Sequence, residues 1–218
     1  AIGLKELWEI KEENFTDGLV EHSMGWPLTD ETNGGSFLYH FDKNLVSIGY
    51  VIHLNYTNPY VSPFDEFQQF KTHPSVKKVL KGGKRISYGA RAITTGGYQS
   101  VPKLYFPGGA LIGCSAGFLN YPKIKGTHNA MESGMLAAEA IIDNYVSGSQ
   151  EKDLINYQEK YENSRIAKEL KRVRNIKPYQ ARYGPLIGTL LGGLDMWLST
   201  FGITIPFTLG HNKPDHKT

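Results

Sequence analysis

With 218 residues, 40% apolar and 21% charged, the chain has an ordinary globular composition and room for one large domain or two small ones. A net charge of +3 is too small to indicate a nucleic-acid binder. The lone cysteine, Cys114, excludes a disulfide framework and an iron–sulfur cluster ligated by this chain alone.

The opening, AIGLKELWEIKEENF, has no initiator Met and no basic-then-apolar leader, so it reads as the middle of a longer protein. Residues 1–20 are expected to end a preceding unit. Two alternating runs, Ser36–Phe41 and Leu45–Leu54, flank DKN and predict a hairpin. Just before them stands Gly34-Gly35, which is either a turn or bulge, or a place where backbone amides are bared to a ligand. Around SPFDEFQQFKTH a helix is predicted, capped by Ser62, with Pro63 in its first turn and Asp65 and Glu66 near its positive end. Lys84–Ile93 reads as a strand, TTGGYQS as a turn, and KLYFPGGALIGC as strand–turn–strand.

The clearest helix spans 126–147. Met131, Met135, Ala138, Ile142 and Tyr145 recur along one apolar stripe. Ala130, Gly134 and Ala137 form a neighbouring small face, expected to sit close to a sheet, and Gly148 is a C-terminal stop.

Residues 151–181 are polar, helical and increasingly basic. Seven basic residues, Arg165, Lys168, Lys171, Arg172, Arg174, Lys177 and Arg182, are opposed only by Glu169. Then come 27 residues, Tyr183–Leu209, with one charge, Asp195. Leu186–Ile205 is long enough to span a bilayer, but it carries that central charge, four glycines and flanking prolines. A segment dipping into one leaflet is expected, with the basic cluster on anionic head groups. A buried helix beside a solvated basic one is the alternative.

The stretch LIGCSAGFLNYPKIKGTHNAMESGMLAAEA passes from an apolar strand through a small-residue turn to a helix start. Free N–H groups near Thr127 and glycines at 113, 117 and 126 suit a flavin, whose N1–C2=O edge gains negative charge on reduction. Asn120 and Thr127 offer hydrogen bonds, and Lys123 and Lys125 offer positive potential. A Gly-rich loop that merely packs one element on another remains open. Cys114 reads as a small buried filler and Ser115 as a hydroxyl for a ligand. No P-loop, GxGxxG, G-x-S-x-G or metal-ligand spacing occurs.

GCSAGFLNYPKIKGTHNAMESGMLAAEAI resembles the flavin-binding segment of the electron-transfer flavoprotein:ubiquinone oxidoreductase family. EHSMGWPLTDETNGGSFLYHF, NPYVSPFDEFQQFKTHPSV, LKGGKRISYGARAI and VRNIKP resemble it in the same order. The resemblance implies an oxidoreductase that passes electrons from reduced electron-transfer flavoprotein to ubiquinone with FAD and a [4Fe–4S] cluster. It also implies monotopic attachment to the inner membrane, on the mitochondrial matrix face or the bacterial cytoplasmic face. By the resemblance, Gly34 and Gly35 meet the quinone head. Gly113, Cys114, Ser115, Gly117, Asn120, Lys125, Gly126 and Thr127 surround the FAD. Leu186, Leu190, Leu191, Leu194, Trp197, Leu198 and Phe201 enter the bilayer.

The implied fold is α+β: an antiparallel-sheet quinone-binding region (21–100) packed on the second half of an FAD-binding domain (101–150). A basic helical segment (151–182), a helical membrane-dipping segment (183–209) and a tail (210–218) follow. The family's dinucleotide fingerprint and its cluster cysteines are not among these 218 residues, so the isolated chain is expected to bind FAD weakly and to be inactive. No catalytic acid or base stands out; His40, His53 and His128 are candidates by residue type alone. A geranylgeranyl-reductase-like FAD enzyme acting on an isoprenoid lipid, and a non-enzymatic lipid or quinone binder, are the competing readings.

Overall fold

The computed structural model describes residues 1–29, 32–148 and 153–210, and the chain divides into two compact units after Ile93.

The first unit is an antiparallel five-stranded sheet in the order β2-β3-β4-β1-β5, built from β1 (Ile2–Glu9), β2 (Val20–Met24), β3 (Gly34–Phe41), β4 (Leu45–Ile52) and β5 (Lys84–Ala92). The predicted hairpin is β3–β4, with Phe41 opposite Leu45 and left-handed Asp42 and Asn44 in the turn. Residues 1–20 do not end a separate unit. β1 lies between β4 and β5 in the sheet, because its alternate residues complete the same apolar face. Leu38, Val46, Ile48, Tyr50 and Ile52 point to that face. Phe67 and Phe70 of α1 (Pro63–Phe70) cover it with Val76 and Leu80 of α2 (Pro74–Leu80). Ser62 caps α1 as expected, its Oγ accepting from Asp65 N at 3.3 Å.

One charge is buried in this core face. The Glu6 side chain, only 3% exposed, accepts from Lys71 Nζ at 2.9 Å on both oxygens, from Arg85 Nη1 at 3.1 Å and from Trp8 Nε1 at 2.8 Å. Burial alone would raise its pKa. The hydrogen bonds from Lys71, Trp8 and Arg85 outweigh that and hold it below the ordinary carboxylate value. Lys71 follows α1 and Arg85 opens β5, so one carboxylate ties three segments.

The second unit is mainly helical. After a small hairpin, β6 (Tyr105–Phe106) and β7 (Gly109–Ala110), come α3 (Thr127–Val146), α4 (Ile155–Asn163), α5 (Arg165–Arg172) and α6 (Ile176–Thr200). Gly148, in the left-handed region, follows α3 as expected. The apolar stripe of α3 faces outward: Met131 is 67% exposed, Met135 64% and Tyr145 86%. The buried face is Asn129, Ser133, Ala137 and Ala140. It packs on α4 and a helical turn at Gly113–Ala116, where the sequence suggested a sheet. Only side chains this small allow so close an approach, and Asn129 and Ser133 use it to reach backbone groups.

α6 kinks at Gly184 (φ 73°, ψ 173°) before Pro185. Its second half folds back on the first: a Cβ on Gly188 would strike the backbone of Gln180, and one on Gly192 would meet Ile176 at 3.2 Å. Asp195 lies on this inner face, 5% exposed, with burial pushing its carboxyl above the ordinary range against the pull of Asn175 and Arg174. The opposite face exposes Leu186, Ile187, Leu190, Leu194, Trp197 and Phe201. No helix among the described residues is long and apolar enough to cross a membrane.

The basic cluster departs from expectation. Arg165 grips Glu132 at 2.7 Å, Arg172 donates to Ser199 at 2.8 Å and Lys177 donates to the Thr95 carbonyl at 2.9 Å. Arg174 binds the Ile205 carbonyl at 2.6 Å, and Arg182 reaches the Gly210 carbonyl at 3.3 Å. These cations have partners inside the unit, where the sequence had assigned them to head groups. The tail from residue 211 lies outside the described residues.

Glu6→Ala leaves two cations around an empty site. The substitution should destabilise the first unit by roughly 3–5 kcal/mol in urea unfolding, the range for breaking a buried ion pair from one side.

Candidate functional site

The small-residue turn is one turn of 3₁₀ helix, Gly113–Ala116, closed by Gly117 at φ 83°. β7 ends at Ala110, so the expected strand into the turn stops two residues early. Gly113 has φ 55°, and a Cβ there would stand 3.1 Å from Ala130 Cβ on α3. Both facts require glycine. The Gly113 N–H donates to the buried Ser133 hydroxyl at 2.9 Å, and Asn129 Nδ2 donates to the Phe118 carbonyl at 2.9 Å. The turn is thus pinned to α3 at two points one helical turn apart.

Gly126 is the N-cap of α3, and no side chain caps it. The first N–H groups of a 20-residue helix therefore open beside Thr127 and Lys125, both exposed. Ser115 is exposed on the turn, whereas Cys114 is half-buried.

Between turn and helix runs a tight loop. Asn120 and Lys125 pair in both directions, at 2.8 and 3.3 Å, around left-handed Ile124. Asn120 is fully buried and its amide is used inside the protein: Oδ1 accepts from Lys123 N at 3.2 Å, and Nδ2 donates to Glu169 Oε1 at 2.6 Å. Asn120 therefore shapes the loop. The same Glu169 oxygen lies 3.0 Å from His128 Nε2 and 3.3 Å from Lys123 Nζ. Burial would raise the Glu169 pKa; the bonds from His128, Asn120 and Lys123 outweigh it and hold the carboxyl below its ordinary value. Glu169 was visible in the sequence only as the odd acid in a basic run. Nothing in the local pattern marked Ser133 or Asn129 beyond their small size.

In the first unit, Gly34 and Gly35 lie within β3, paired with Ile52 and Val51 on one side and, for Gly35, with Met24 on the other. They form neither a turn nor a bared loop. A side chain on Gly34 would strike Leu28 and the Val51 carbonyl, and one on Gly35 the Ser23 carbonyl. Gly35 shares the face opposite α1 and α2 with Phe37 and Val51. A shallow groove of about 490 Å³ lies there, lined mainly by apolar atoms of Gly3, Leu7, Phe37, Val51, Gly89 and Ile93. The Phe37 ring lies against Gly49, where any side chain would collide with it. His40 is buried on the other face, and burial lowers its pKa. His53 is also buried, and His128 belongs to the Glu169 cluster.

Left-handed glycines, a close backbone approach and an uncapped helix start fit the non-adenine part of FAD. They do not supply a pyrophosphate site. With one cysteine, the chain cannot supply the ligands of a [4Fe–4S] cluster; among the described residues no His, Cys, Asp or Glu cluster could hold a metal ion.

Gly113→Ala forces a Cβ into the left-handed region and against Ala130, and should cost about 1–2 kcal/mol in thermal unfolding. Gly134→Ala, with nothing within 4 Å in mid-helix, should stabilise by about 0.5–1 kcal/mol.

Comparisons with known proteins match this division. The family model "ETF-QO, ubiquinone-binding" covers residues 1–93, the first unit. Over its whole length the chain is 50% identical to the mitochondrial electron transfer flavoprotein-ubiquinone oxidoreductase of Caenorhabditis elegans, of which it spans 37%. It is also 50% identical, over 99% of its length, to the Pseudomonas aeruginosa protein of that name, of which it spans 39%. A geranylgeranyl bacteriochlorophyll reductase-like protein from Thermoplasma acidophilum superposes with a TM-score of 0.62 over 89% of this chain and 47% of its own, at 16% identity. That likeness shows the fold: mixed α and β with an antiparallel sheet. Over all or nearly all of its length the chain is thus similar to a segment of electron transfer flavoprotein-ubiquinone oxidoreductases, and its first unit matches their ubiquinone-binding family model.

Proposed function

We propose that the chain is the quinone-binding and flavin-contacting part of an enzyme that carries electrons from reduced electron transfer flavoprotein to ubiquinone, using FAD and a [4Fe–4S] cluster. The observation that carries this reading is the coincidence of the ubiquinone-binding match with the first structural unit. The cluster's ligands would come from outside this chain.

FAD, when bound, supplies the electron-accepting and electron-donating ring. The residues here hold and orient it. Gly113, Cys114, Ser115 and Gly117 bring backbone close to it. Gly126 and Thr127 present the positive end of α3, which favours negative charge on the ring. Lys125 adds positive potential, and Asn120 fixes the loop between. In the first unit, the open face that Gly35 shares with Phe37 and Val51 offers an apolar, side-chain-poor floor for a flat quinone head, with Gly34 packed on Leu28 beneath it. This reading gives no histidine a proton-transfer role.

Attachment to the inner membrane, peripheral and on one leaflet, is the third part of the proposal. Leu186, Leu190, Leu194, Trp197 and Phe201 form an uncharged outer face, with Leu191 and Leu198 half-buried at its edges. A helix that is apolar outward and kinked at Gly184 suits an in-plane position better than a crossing one. Contact rests on this apolar area, with the charge of the basic run beside it in sequence; Arg165, Arg172, Arg174, Lys177 and Arg182 also have partners within the unit, and Lys168 and Lys171 are exposed.

The function is tested on the full-length protein in detergent. Flavin bands, an iron–sulfur EPR signal on reduction and turnover with reduced electron transfer flavoprotein and a short-chain ubiquinone are expected. Flavin without cluster signal or quinone turnover would reject the proposal. For the membrane, Leu190→Asp should weaken co-sedimentation with phosphatidylcholine–phosphatidylglycerol vesicles about tenfold or more. Asp195→Asn, on the inner face, should leave it unchanged.

A further inference from the structure

Loop 120–125 and the first turn of α3 carry the residues assigned above to the flavin, and both are fastened to one side chain outside them. Glu169 sits on α5, and its carboxylate is 16% exposed. Its Oε1 receives Asn120 Nδ2 at 2.6 Å, His128 Nε2 at 3.0 Å and Lys123 Nζ at 3.3 Å. Asn120 closes the base of the loop through its paired backbone contacts with Lys125. His128 is in the first turn of α3, two residues past the uncapped Gly126. Lys123 stands on the loop itself, and its N–H returns to Asn120 Oδ1 at 3.2 Å.

One oxygen therefore fixes the loop's base, the loop's arm and the start of the helix together. Charge-assisted hydrogen bonds of this kind are about twice as strong as neutral ones, and a shared acceptor couples its donors. The loop around left-handed Ile124 is also closed by Ile124 N donating to the Tyr121 carbonyl at 3.1 Å and by the Tyr121 hydroxyl donating to Gln180 Oε1 at 2.6 Å, while Lys123, Ile124 and Lys125 are exposed and depend on these anchors. Arg165, one turn earlier on α5, fastens the same helix pair through Glu132 of α3, at 2.7 Å and 3.0 Å. α5 thus meets α3 at a second point, on the same side as Glu169's own bond to His128.

We propose that Glu169 is a positioning residue for the flavin site: through Asn120, Lys123 and His128 it holds loop 120–125 and the α3 N-terminus in the one arrangement that receives the cofactor. The inference rests on the flavin reading above. Glu169 itself need not touch the cofactor.

The test uses the full-length protein and its Glu169→Ala and Glu169→Gln variants, with secondary structure followed by circular dichroism. FAD affinity of the deflavinated protein, the flavin midpoint potential and amide hydrogen exchange over residues 120–128 are measured on each. Glu169→Ala should raise the FAD Kd about tenfold, the size of one lost charge-assisted hydrogen bond. It should shift the midpoint potential and speed exchange over 120–128, leaving α4 protected. Glu169→Gln keeps an acceptor oxygen of the same reach and should fall between, at about threefold. Wild-type affinity and exchange in Glu169→Ala would overturn the proposal; should that variant not fold, wild-type values in Glu169→Gln would overturn it. Faster exchange with unchanged Kd and potential would overturn it too, by removing the loop from the flavin site. A wild-type protein that takes up no FAD would reject the flavin reading itself, and the positioning role with it.

Discussion

A carboxylate taken out of water must be given donors, and each unit of this chain is organised around one that is. Glu6 collects Lys71, Arg85 and Trp8 in the first unit; Glu169 collects Asn120, Lys123 and His128 in the second. In both, donors reach the carboxylate from far along the chain: Lys71 and Arg85 for Glu6, and residues 120–128 for Glu169. A hydrophobic core holds segments together without choosing their angular placement; a multiply bonded oxygen chooses it. For Glu6 the consequence is a sheet whose edge strand β5 and helix α1 are both referred to the strand β1. For Glu169 it is a loop and a helix start referred to α5.

The two candidate ligand surfaces use absence of side chains in different ways. At Gly113 and Gly117 the backbone adopts angles that other residues resist, so the turn can be tight against Ala130. At Gly34 and Gly35 the angles are ordinary and the neighbours forbid a side chain. The first holds the turn against α3, with the Gly113 N–H spent on the Ser133 hydroxyl. The second lets β3 sit tightly between its neighbours, Gly34 against Leu28 and Gly35 against the Ser23 carbonyl.

Much of this was legible in the sequence where local chemistry decides the outcome. Ser62 and Pro63 start α1, Gly148 ends α3, and DKN turns β3 into β4, because capping and turn geometry depend on a few adjacent residues. What was not legible depends on partners far along the chain. Periodicity along α3 marks an apolar stripe and, beside it, a small-residue face for close approach, but it does not say which of the two goes inward. Packing ranked them by size, and Asn129, Ser133, Ala137 and Ala140 went inward. The basic run points to anionic head groups in the sequence because charge alone does not reveal that Arg174 finds the Ile205 carbonyl or Arg165 finds Glu132. Residues 1–20 were set apart because a strand that pairs with β4 and β5 has no neighbour nearby in sequence to announce it.

The kink at Gly184 divides the labour of α6. Gly188, Gly192 and Asp195 answer to the helix they lie against, while Leu186, Leu190, Trp197 and Phe201 answer to whatever lies outside the unit. Substitutions on the two faces therefore register in different observables, folding on the inside and surface affinity on the outside. Either property can drift over evolutionary time without dragging the other along, provided the bend that separates them is kept.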